Sequence, residues 1–461
     1  MTKNFWRFIT PILLLALLGL ILLTPHAAIS VRAQAGATLT PLPSAGDPPV
    51  STQMDDATTA ILNTLEGDVS LLRELNQTTL IDRRLVHPTE LVNFALAESL
   101  QGYTSEQAQN DARFYGAFGF MPEDTDLIEL TRNLMTEQLT GYFDPARNIM
   151  FVPNWGGLNA IYGAIYAHEY TQALIYQNFD VAILLPDDLA AIDPDRALAA
   201  LALIEGDAQL TTAFYTGVIL QRNPAIANDL LTQTTLNNPP VYNNMPSILR
   251  AELAFPFTAG TEFVRQLYNQ TASWLLVNQA YALPPVSTEQ ILHPEMYTQN
   301  HQPQLVSVRP LDEFFDAQDV AGDWELLRDQ TLGEFYLREH LDLFVDTPVA
   351  ISTAAGWGGD RFLLYGEDDS PTSILVLHLT WDTEQDASEF YTIYGAALAV
   401  WFEVGGVTLS DSVSCWERPS RTACQFMEGS DTWVVIAPTS DLATQIIEYE
   451  LEGGTALKVM I

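Results

Sequence analysis

The chain of 461 residues carries 58 Asp and Glu against 20 Lys and Arg, a formal net charge of −38. Only 17% of its residues are charged, below the roughly 25% of an ordinary soluble domain, so bases are scarce rather than acids abundant. Such a surface repels phosphate groups, which excludes nucleic acids and anionic membrane surfaces as partners. Because 48% of the residues are hydrophobic, the chain can bury a large core and is not globally disordered.

Residues 1–35 have the features of a secretory signal. Lys3 and Arg7 precede an apolar run over 9–23, and small residues follow it, which is the order of charge, apolar segment and cleavage site in export signals. The run is shorter than the roughly 20 residues of a membrane span. We expect a secreted or extracytoplasmic protein, with an uncleaved N-terminal membrane anchor as the alternative. Residues 36–55 are rich in Pro, Gly, Ser and Thr and predict a flexible linker.

The pattern of apolar residues predicts an α+β fold in two parts. Over 56–300 these residues recur mostly at helical spacing, and one short β-hairpin is indicated, so a mainly helical domain is expected. Residues 301–344 predict a connecting helical segment. Over 345–461 the predicted order is two strands, a helix, three strands and a helix. That order indicates a smaller α+β domain whose antiparallel sheet is covered on one face.

The chain has two cysteines, Cys415 and Cys424, which flank a Pro-Ser turn. In an exported chain, two cysteines at the ends of a short hairpin favour a disulfide. Two buried thiols are the alternative. A metal site is not indicated here, because no second pair of ligands accompanies them.

Two long apolar helices contain polar residues that need partners. The first contains His168 and Glu169, with Gln172 one helical turn after the histidine, and the second contains Glu205 and Asp207. A buried carboxylate costs several kcal/mol unless it finds a cation or hydrogen-bond donors. Two histidines one turn apart and a carboxylate on another helix form a common zinc site. Here Gln172 occupies the position of the second histidine.

Several sequence blocks, in order, resemble an uncharacterised group of exported bacterial proteins. They are "GYFDPARNIMFV", "AHEYTQALIYQNFD", "LIEGDAQL", "FPFTAGTEFVRQLY", "VNQAYALPPVSTEQILHPEMY" and "AAGWGGDRFLLYGE". That group is similar to gluzincin-type zinc metallopeptidases, in which an HExxH motif is followed by a glutamate on the next helix. The resemblance extends over about residues 110–400 and implies a zincin-like fold for the helical domain.

The resemblance also implies roles for individual residues. His168 and Glu205 would be metal ligands and Glu169 the general base, while Gln172 stands at the remaining ligand position. An amide oxygen is a weak zinc donor compared with imidazole or carboxylate. We therefore expect zinc binding to be weak or absent.

Three more residues are candidates for supporting roles. His293 precedes a proline, which favours an extended or turn conformation, and it could serve as a substitute ligand or stabilise an oxyanion. A loop histidine that caps a neighbouring helix is the alternative, and Tyr297 is equally open. Asp207 could orient His168 or accept hydrogen bonds from the backbone.

Two functions remain open from the sequence, and a third interpretation stands beside them. The first is a non-catalytic, metallopeptidase-like protein that binds a peptide, a protein or another envelope component. The second is an active zinc metallopeptidase in which His168, Glu205 and a substitute ligand hold the metal and Glu169 activates water. The third is an exported function of the C-terminal domain that is unrelated to peptidases.

Overall fold

The structure is a computed structural model that describes residues 47–154, 159–228, 230, 239–367, 372–410 and 413–458. The fold is α+β, as the sequence predicts. The predicted signal lies outside the described residues, as does the predicted linker up to residue 46. Within the described ranges, no helix is long and apolar enough to cross a membrane.

The part of the chain up to residue 300 is mainly helical. Its helices are α1 (Asp56–Arg73), α2 (Pro88–Ser99), α3 (Ser105–Ala117), α4 (Leu127–Gln138), α5 (Ala160–Asn178), α6 (Val181–Leu184), α7 (Leu189–Ile192), α8 (Pro194–Arg222), α9 (Pro240–Asn244), α10 (Ser247–Thr271), α11 (Leu275–Ala280), α12 (Thr288–Leu292) and α13 (Pro294–Thr298). Its strands are β1 (Asp82–Val86), β2 (Tyr142–Asp144) and β3 (Ile149–Pro153). The predicted hairpin is β2–β3, and β1, which we did not predict, pairs with β3 in parallel.

The two predicted apolar helices are α5 and α8, and both begin at a capping residue. The side chain of Asn159 accepts the N–H of Tyr162 at the start of α5. That of Asp193 accepts the N–H of Arg196 at the start of α8. These bonds satisfy donors that the first turn of a helix leaves free. Both helices are buried over most of their length, and α8 packs against α5, α10 and α1.

Helices α8 and α10 cross with their backbones in close approach. A Cβ atom at Gly206 would lie 2.2 Å from the carbonyl oxygen of Gly260, and one at Gly260 would lie 2.2 Å from that of Ala202. Backbone atoms cannot turn aside as a side chain does, so the crossing requires glycine at both positions. The crossing fixes the position of Glu205, the residue next to Gly206.

The C-terminal part contains a seven-stranded antiparallel sheet in the order β4-β5-β6-β10-β9-β8-β7. Its elements are α14 (Asp312–Gln318), β4 (Trp324–Gln330), α15 (Gly333–Asp342), α16 (Thr347–Ala354), β5 (Trp357–Glu367), β6 (Ser373–Trp381), α17 (Glu384–Phe402), β7 (Val407–Ser410), β8 (Val413–Arg418), β9 (Arg421–Glu428), β10 (Asp431–Ala437) and α18 (Ser440–Lys458). The segment predicted as a helical connection thus contributes the edge strand β4, and two strands, β7 and β8, replace one predicted strand. Cys415 and Cys424 lie opposite each other on β8 and β9 and form a disulfide, with an S–S distance of 2.06 Å.

The sheet is covered on both faces, not on one as predicted. Phe362 and Leu364 of β5 join the core that contains α17, whereas Leu363 and Tyr365 join the cluster formed with α14 and α18. The sequence signal was the continuous apolar run in β6, "SILVLHL", because a strand with one wet face alternates apolar and polar residues. The larger core also includes side chains from the helical part, and Phe114 of α3 stacks on Phe362 at 5.7 Å.

Buried carboxylates hold α8, α12 and α15 together beside β5. Asp360 of β5 accepts the N–H groups of Leu332 (2.6 Å) and Gly333 (2.8 Å) at the start of α15. Gly333 has a φ of +81°, which favours glycine, and a Cβ atom there would overlap Asp195 of α8. Asp195 accepts the backbone N–H of Thr288 at the start of α12 (3.1 Å).

A third buried carboxylate, Glu252 of α10, is paired with two tyrosine hydroxyls. Tyr115 of α3 donates to its Oε1 at 2.8 Å and Tyr336 of α15 donates to the same oxygen at 2.6 Å. Burial raises the pKa of Glu252 to about 8. The side chain is therefore mostly protonated at neutral pH, and no cation is needed beside it.

Replacing Gly206 by alanine is expected to lower the free energy of unfolding by about 1–3 kcal/mol, because the added methyl group meets the backbone of α10. Gly217→Ala in the same helix is the matched control, since a methyl group there meets nothing within 4 Å. The control is expected to gain about 0.5–1 kcal/mol, because alanine favours a helix. Urea unfolding followed by circular dichroism measures both, and equal stabilities would contradict the close crossing.

Candidate functional site

His168, Gln172 and Glu205 converge in the core. Helix α5 carries His168 and Gln172 one turn apart, on the side that faces Glu205 of α8. The Nε2 atom of His168 lies 3.0 Å from Oε2 of Glu205 and 3.1 Å from Nε2 of Gln172. The structure thus brings together all three side chains at the ligand positions that the resemblance implies.

The amide of Gln172 occupies the space between the other two side chains. Its Nε2 donates to both carboxylate oxygens of Glu205, at 3.0 and 3.1 Å. The three side chains are 0–4% exposed, so water does not replace these bonds. Glu205 therefore has hydrogen-bond donors at both oxygens without a cation, which removes much of the cost of burying it.

Burial favours the neutral form of both potential ligands. It lowers the pKa of His168 to about 4, although the attraction of Glu169 and the nearby amide oxygen of Gln209, an acceptor for the ring N–H, act in the opposite direction. It raises the pKa of the Glu205 carboxyl well above its ordinary value, although the hydrogen bond from Gln172 acts to lower it. At neutral pH the imidazole is therefore uncharged, and the carboxyl is shifted towards its protonated form.

Glu169 points away from this cluster, towards the strands. Its Oε2 accepts the backbone N–H of Phe143 in β2 at 2.9 Å. Burial raises its pKa to about 7; His168 opposes this effect, and the neighbouring carboxyl of Glu205 adds to it. A carboxyl that titrates near neutral pH is suited to exchanging a proton with a bound molecule.

Glu169 also lines a cleft of about 350 Å³ between α5 and β3. The walls of this cleft include Thr140, Gly141, Val152, Tyr162, Ile165 and Glu169. The Thr140 hydroxyl is buried and has no hydrogen-bond partner among the described residues. The β2–β3 ladder ends at Phe151, and the lining continues along β3 from there to Asn154.

The donor set of the cluster fits zinc poorly. His168 and Glu205 are conventional zinc ligands, but a catalytic site requires three, and the amide nitrogen of Gln172 faces them both. Over the described ranges, no group of three or more His, Cys, Asp or Glu side chains is arranged to hold a metal ion. No metal-dependent step is therefore assigned to these residues.

Asp207 does not orient His168. Its carboxylate forms a two-pronged ion pair with Arg73 of α1, at 2.6 and 2.8 Å, and accepts the hydroxyl of Tyr281 at 2.9 Å. The physical reason is helix geometry, since residues two apart do not share a face and Glu205 already faces His168. Asp207 instead connects α8 to α1.

His293 and Tyr297 contact residues outside the cluster of His168, Gln172 and Glu205. The Nε2 atom of His293 is 2.9 Å from Oε1 of Glu334 in α15. Its side chain makes no capping bond to α13. The hydroxyl of Tyr297 donates to the carbonyl of Leu283 at 2.8 Å. The structure does not bring either residue into contact with His168, because Asp195 and α15 hold α12 and α13 elsewhere. No local sequence pattern indicates these tertiary contacts.

Sequence reasoning missed three residues near the site. Gln209 follows Glu205 by one turn of α8, so helical spacing could have identified it. The ring of Phe257 in α10 stacks on His168 at 5.7 Å between centroids, and Thr140 lines the cleft. Neither of these two has a local signal, since each reaches the site through the tertiary fold.

A comparison with family models matches residues 325–447 to a domain of unknown function, DUF8575. The match begins in β4 and ends in α18, so it covers the seven-stranded sheet and lies outside α5 and α8. No curated protein matches the chain, and no solved structure matches it. The similarity to gluzincin peptidases therefore stays a prediction from the sequence.

Replacing Asp207 by asparagine is expected to lower the free energy of unfolding by about 3–5 kcal/mol, because the Arg73 guanidinium stays buried without its counter-charge. Glu262→Gln is the matched control, because it breaks an exposed ion pair with Arg265 in the same chemical way. That variant is expected to lose no more than about 1 kcal/mol. Denaturant unfolding measures both losses of stability, and similar losses would show that the buried ion pair stabilises the fold no more than the exposed one.

Proposed function

We propose that the chain is an exported, non-catalytic relative of gluzincin peptidases that binds an extended peptide in the cleft beside β3. The observation that carries the proposal is the amide of Gln172, which donates to both oxygens of Glu205. These two hydrogen bonds stabilise the Glu205 carboxylate, as coordination to a zinc ion does in a gluzincin.

The loss of catalysis is supported by the chemistry of the cluster. A catalytic zinc ion needs three protein ligands and one open position. Here the third position carries a neutral amide, and burial shifts the Glu205 carboxyl towards its protonated form. Binding of a metal would have to break the Gln172 hydrogen bonds and displace a proton from Glu205 at the same time.

Peptide binding is supported by the contents of the cleft. The cleft is lined by Thr140, whose hydroxyl has no partner in the described part of the chain, and by Glu169, whose carboxyl has a pKa of about 7. The lining extends past the end of the β2–β3 ladder, where an extended peptide can run alongside β3. Strand-like peptides are commonly bound in this way, with main-chain hydrogen bonds for affinity and side-chain pockets for specificity.

Export is supported by the sequence of residues 1–35 and by the disulfide. Disulfides persist in oxidising compartments and are rare in the cytosol. The strongly acidic surface suits a soluble protein outside the cell and disfavours anionic ligands. A peptide without excess negative charge is therefore the expected partner.

A second candidate function is an active zinc peptidase with an altered ligand set. It is favoured by the 3.0 Å approach of His168 to Glu205 and by the position of Glu169 in the cleft. It requires a third ligand, and His293, the candidate from the sequence, is paired with Glu334.

Replacing Gln172 by histidine is expected to raise zinc affinity at least about 100-fold, because it restores an imidazole at the third ligand position. Zinc bound at this cluster is distinguished from zinc bound elsewhere because it is lost when Glu205→Gln is added to the Gln172→His variant. Calorimetric titration of chelator-treated protein measures the affinity. If the wild-type chain already binds zinc tightly, and Glu205→Gln removes it, the metal-free interpretation is wrong.

The wild-type chain is expected to retain peptides from a library and to release them uncleaved. Thr140→Val should weaken binding of a retained peptide by about 5- to 10-fold, because it removes one hydrogen bond without changing side-chain shape. Fluorescence polarisation measures binding, and mass spectrometry of the released peptides measures cleavage.

Thr211→Val is the control for this experiment. The Thr211 hydroxyl is also buried and without a partner among the described residues, but it does not line the cleft. It should leave peptide affinity unchanged. Equal effects of the two substitutions would place binding elsewhere, and cleavage that disappears in Glu169→Gln would establish the peptidase alternative.

A further inference from the structure

A second buried polar cluster lies where the helical part meets the sheet. Glu289 of α12 is 0% exposed and Glu334 of α15 is 2% exposed. Two histidines stand at the rim of the cluster, with side chains 27% exposed for His293 and 36% exposed for His301. Asp382, at the β6–α17 junction, interacts electrostatically with both histidines.

The carboxylates of this cluster lack the donors that other buried acids have. Both oxygens of Glu289 and Oε2 of Glu334 have no hydrogen-bond partner in the described part of the chain. In the first cluster, by contrast, Gln172 donates to both oxygens of Glu205. Because His293 contacts only Oε1 of Glu334, three of the four carboxylate oxygens have no donor among the described residues, and a bound cation would supply the partner that they lack.

Two histidine–glutamate pairs line the cluster. His293 Nε2 lies 2.9 Å from Glu334 Oε1, and His301 Nδ1 lies 3.7 Å from Glu289 Oε2. Ligand atoms bound tetrahedrally at about 2.0–2.2 Å from zinc are about 3.3–3.6 Å apart, a range that lies between these two distances. The four side chains are not arranged around one point among the described residues, so binding of a single ion requires the two pairs to converge.

We propose that Glu289, Glu334, His293 and His301 bind a divalent transition-metal ion such as Zn²⁺. Two imidazoles with two carboxylates favour such an ion over Ca²⁺ or Mg²⁺, which prefer oxygen ligands alone. Glu334 lies within the region that matches DUF8575, and the other three residues precede it. The ion would join the helical part to the sheet and does not depend on the His168–Glu205 cluster.

The test uses residues 36–461 after treatment with a chelator. Titration with Zn²⁺ by calorimetry is expected to show one ion bound per chain through this cluster, and Zn²⁺ is expected to raise the Tm. A Glu289→Gln/Glu334→Gln variant should lose at least about 100-fold in affinity, because both carboxylate ligands become amides. The rise in Tm should disappear with it. The variant removes two buried charges while keeping side-chain shape, and its metal-free Tm shows whether it folds.

Two control variants locate the site. Glu252→Gln changes another buried carboxyl, one that two tyrosines already satisfy, and it should leave Zn²⁺ affinity unchanged. Glu205→Gln should also leave it unchanged, because that residue belongs to the first cluster. The proposal is overturned if the wild-type chain shows neither binding nor a shift in Tm. It is equally overturned if binding survives in the double variant, or if Glu205→Gln abolishes it.

Discussion

A carboxylate in an apolar core must be paired, and this chain has only 20 Lys and Arg for its 58 acids. Asp207 takes one of the scarce bases, Arg73, in a fully buried ion pair. Three other buried acids are paired with neutral donors: an amide for Glu205, two phenols for Glu252 and backbone N–H groups for Asp360. These pairs connect helices that are distant in sequence, so the acidic composition shapes the core as well as the surface.

The need to pair buried carboxylates also explains the role of Gln172. A neutral histidine at that position would have one N–H donor, whereas the Gln172 amide has two and donates to both oxygens of Glu205. The folded state can therefore keep the geometry of a metal cluster without the metal. Glu289 and Glu334 differ from Glu205, since both oxygens of Glu289 and Oε2 of Glu334 have no hydrogen-bond partner among the described residues.

Features encoded locally were predictable from the sequence. The apolar runs of α5 and α8 identified both helices, helical spacing placed His168 and Gln172 on one face, and the gluzincin resemblance implied the approach to Glu205. Features that depend on distant partners were missed. The strands β1 and β4 are short and polar and form only because β3 and β5 offer edges to them, and the pairing of Asp207 with Arg73 joins residues 134 apart.

The glycine crossing of α8 and α10 has a mechanical consequence. Because the two backbones touch, α8 cannot slide or rotate without moving α10, and α5 is bonded to α8 through Gln172. The α5 side of the cleft is therefore held in place by its packing on α8 and, through α8, on α10. In such an arrangement, the identity of one side chain can change the chemistry of the cluster while the backbone keeps its position. In this chain that side chain is Gln172.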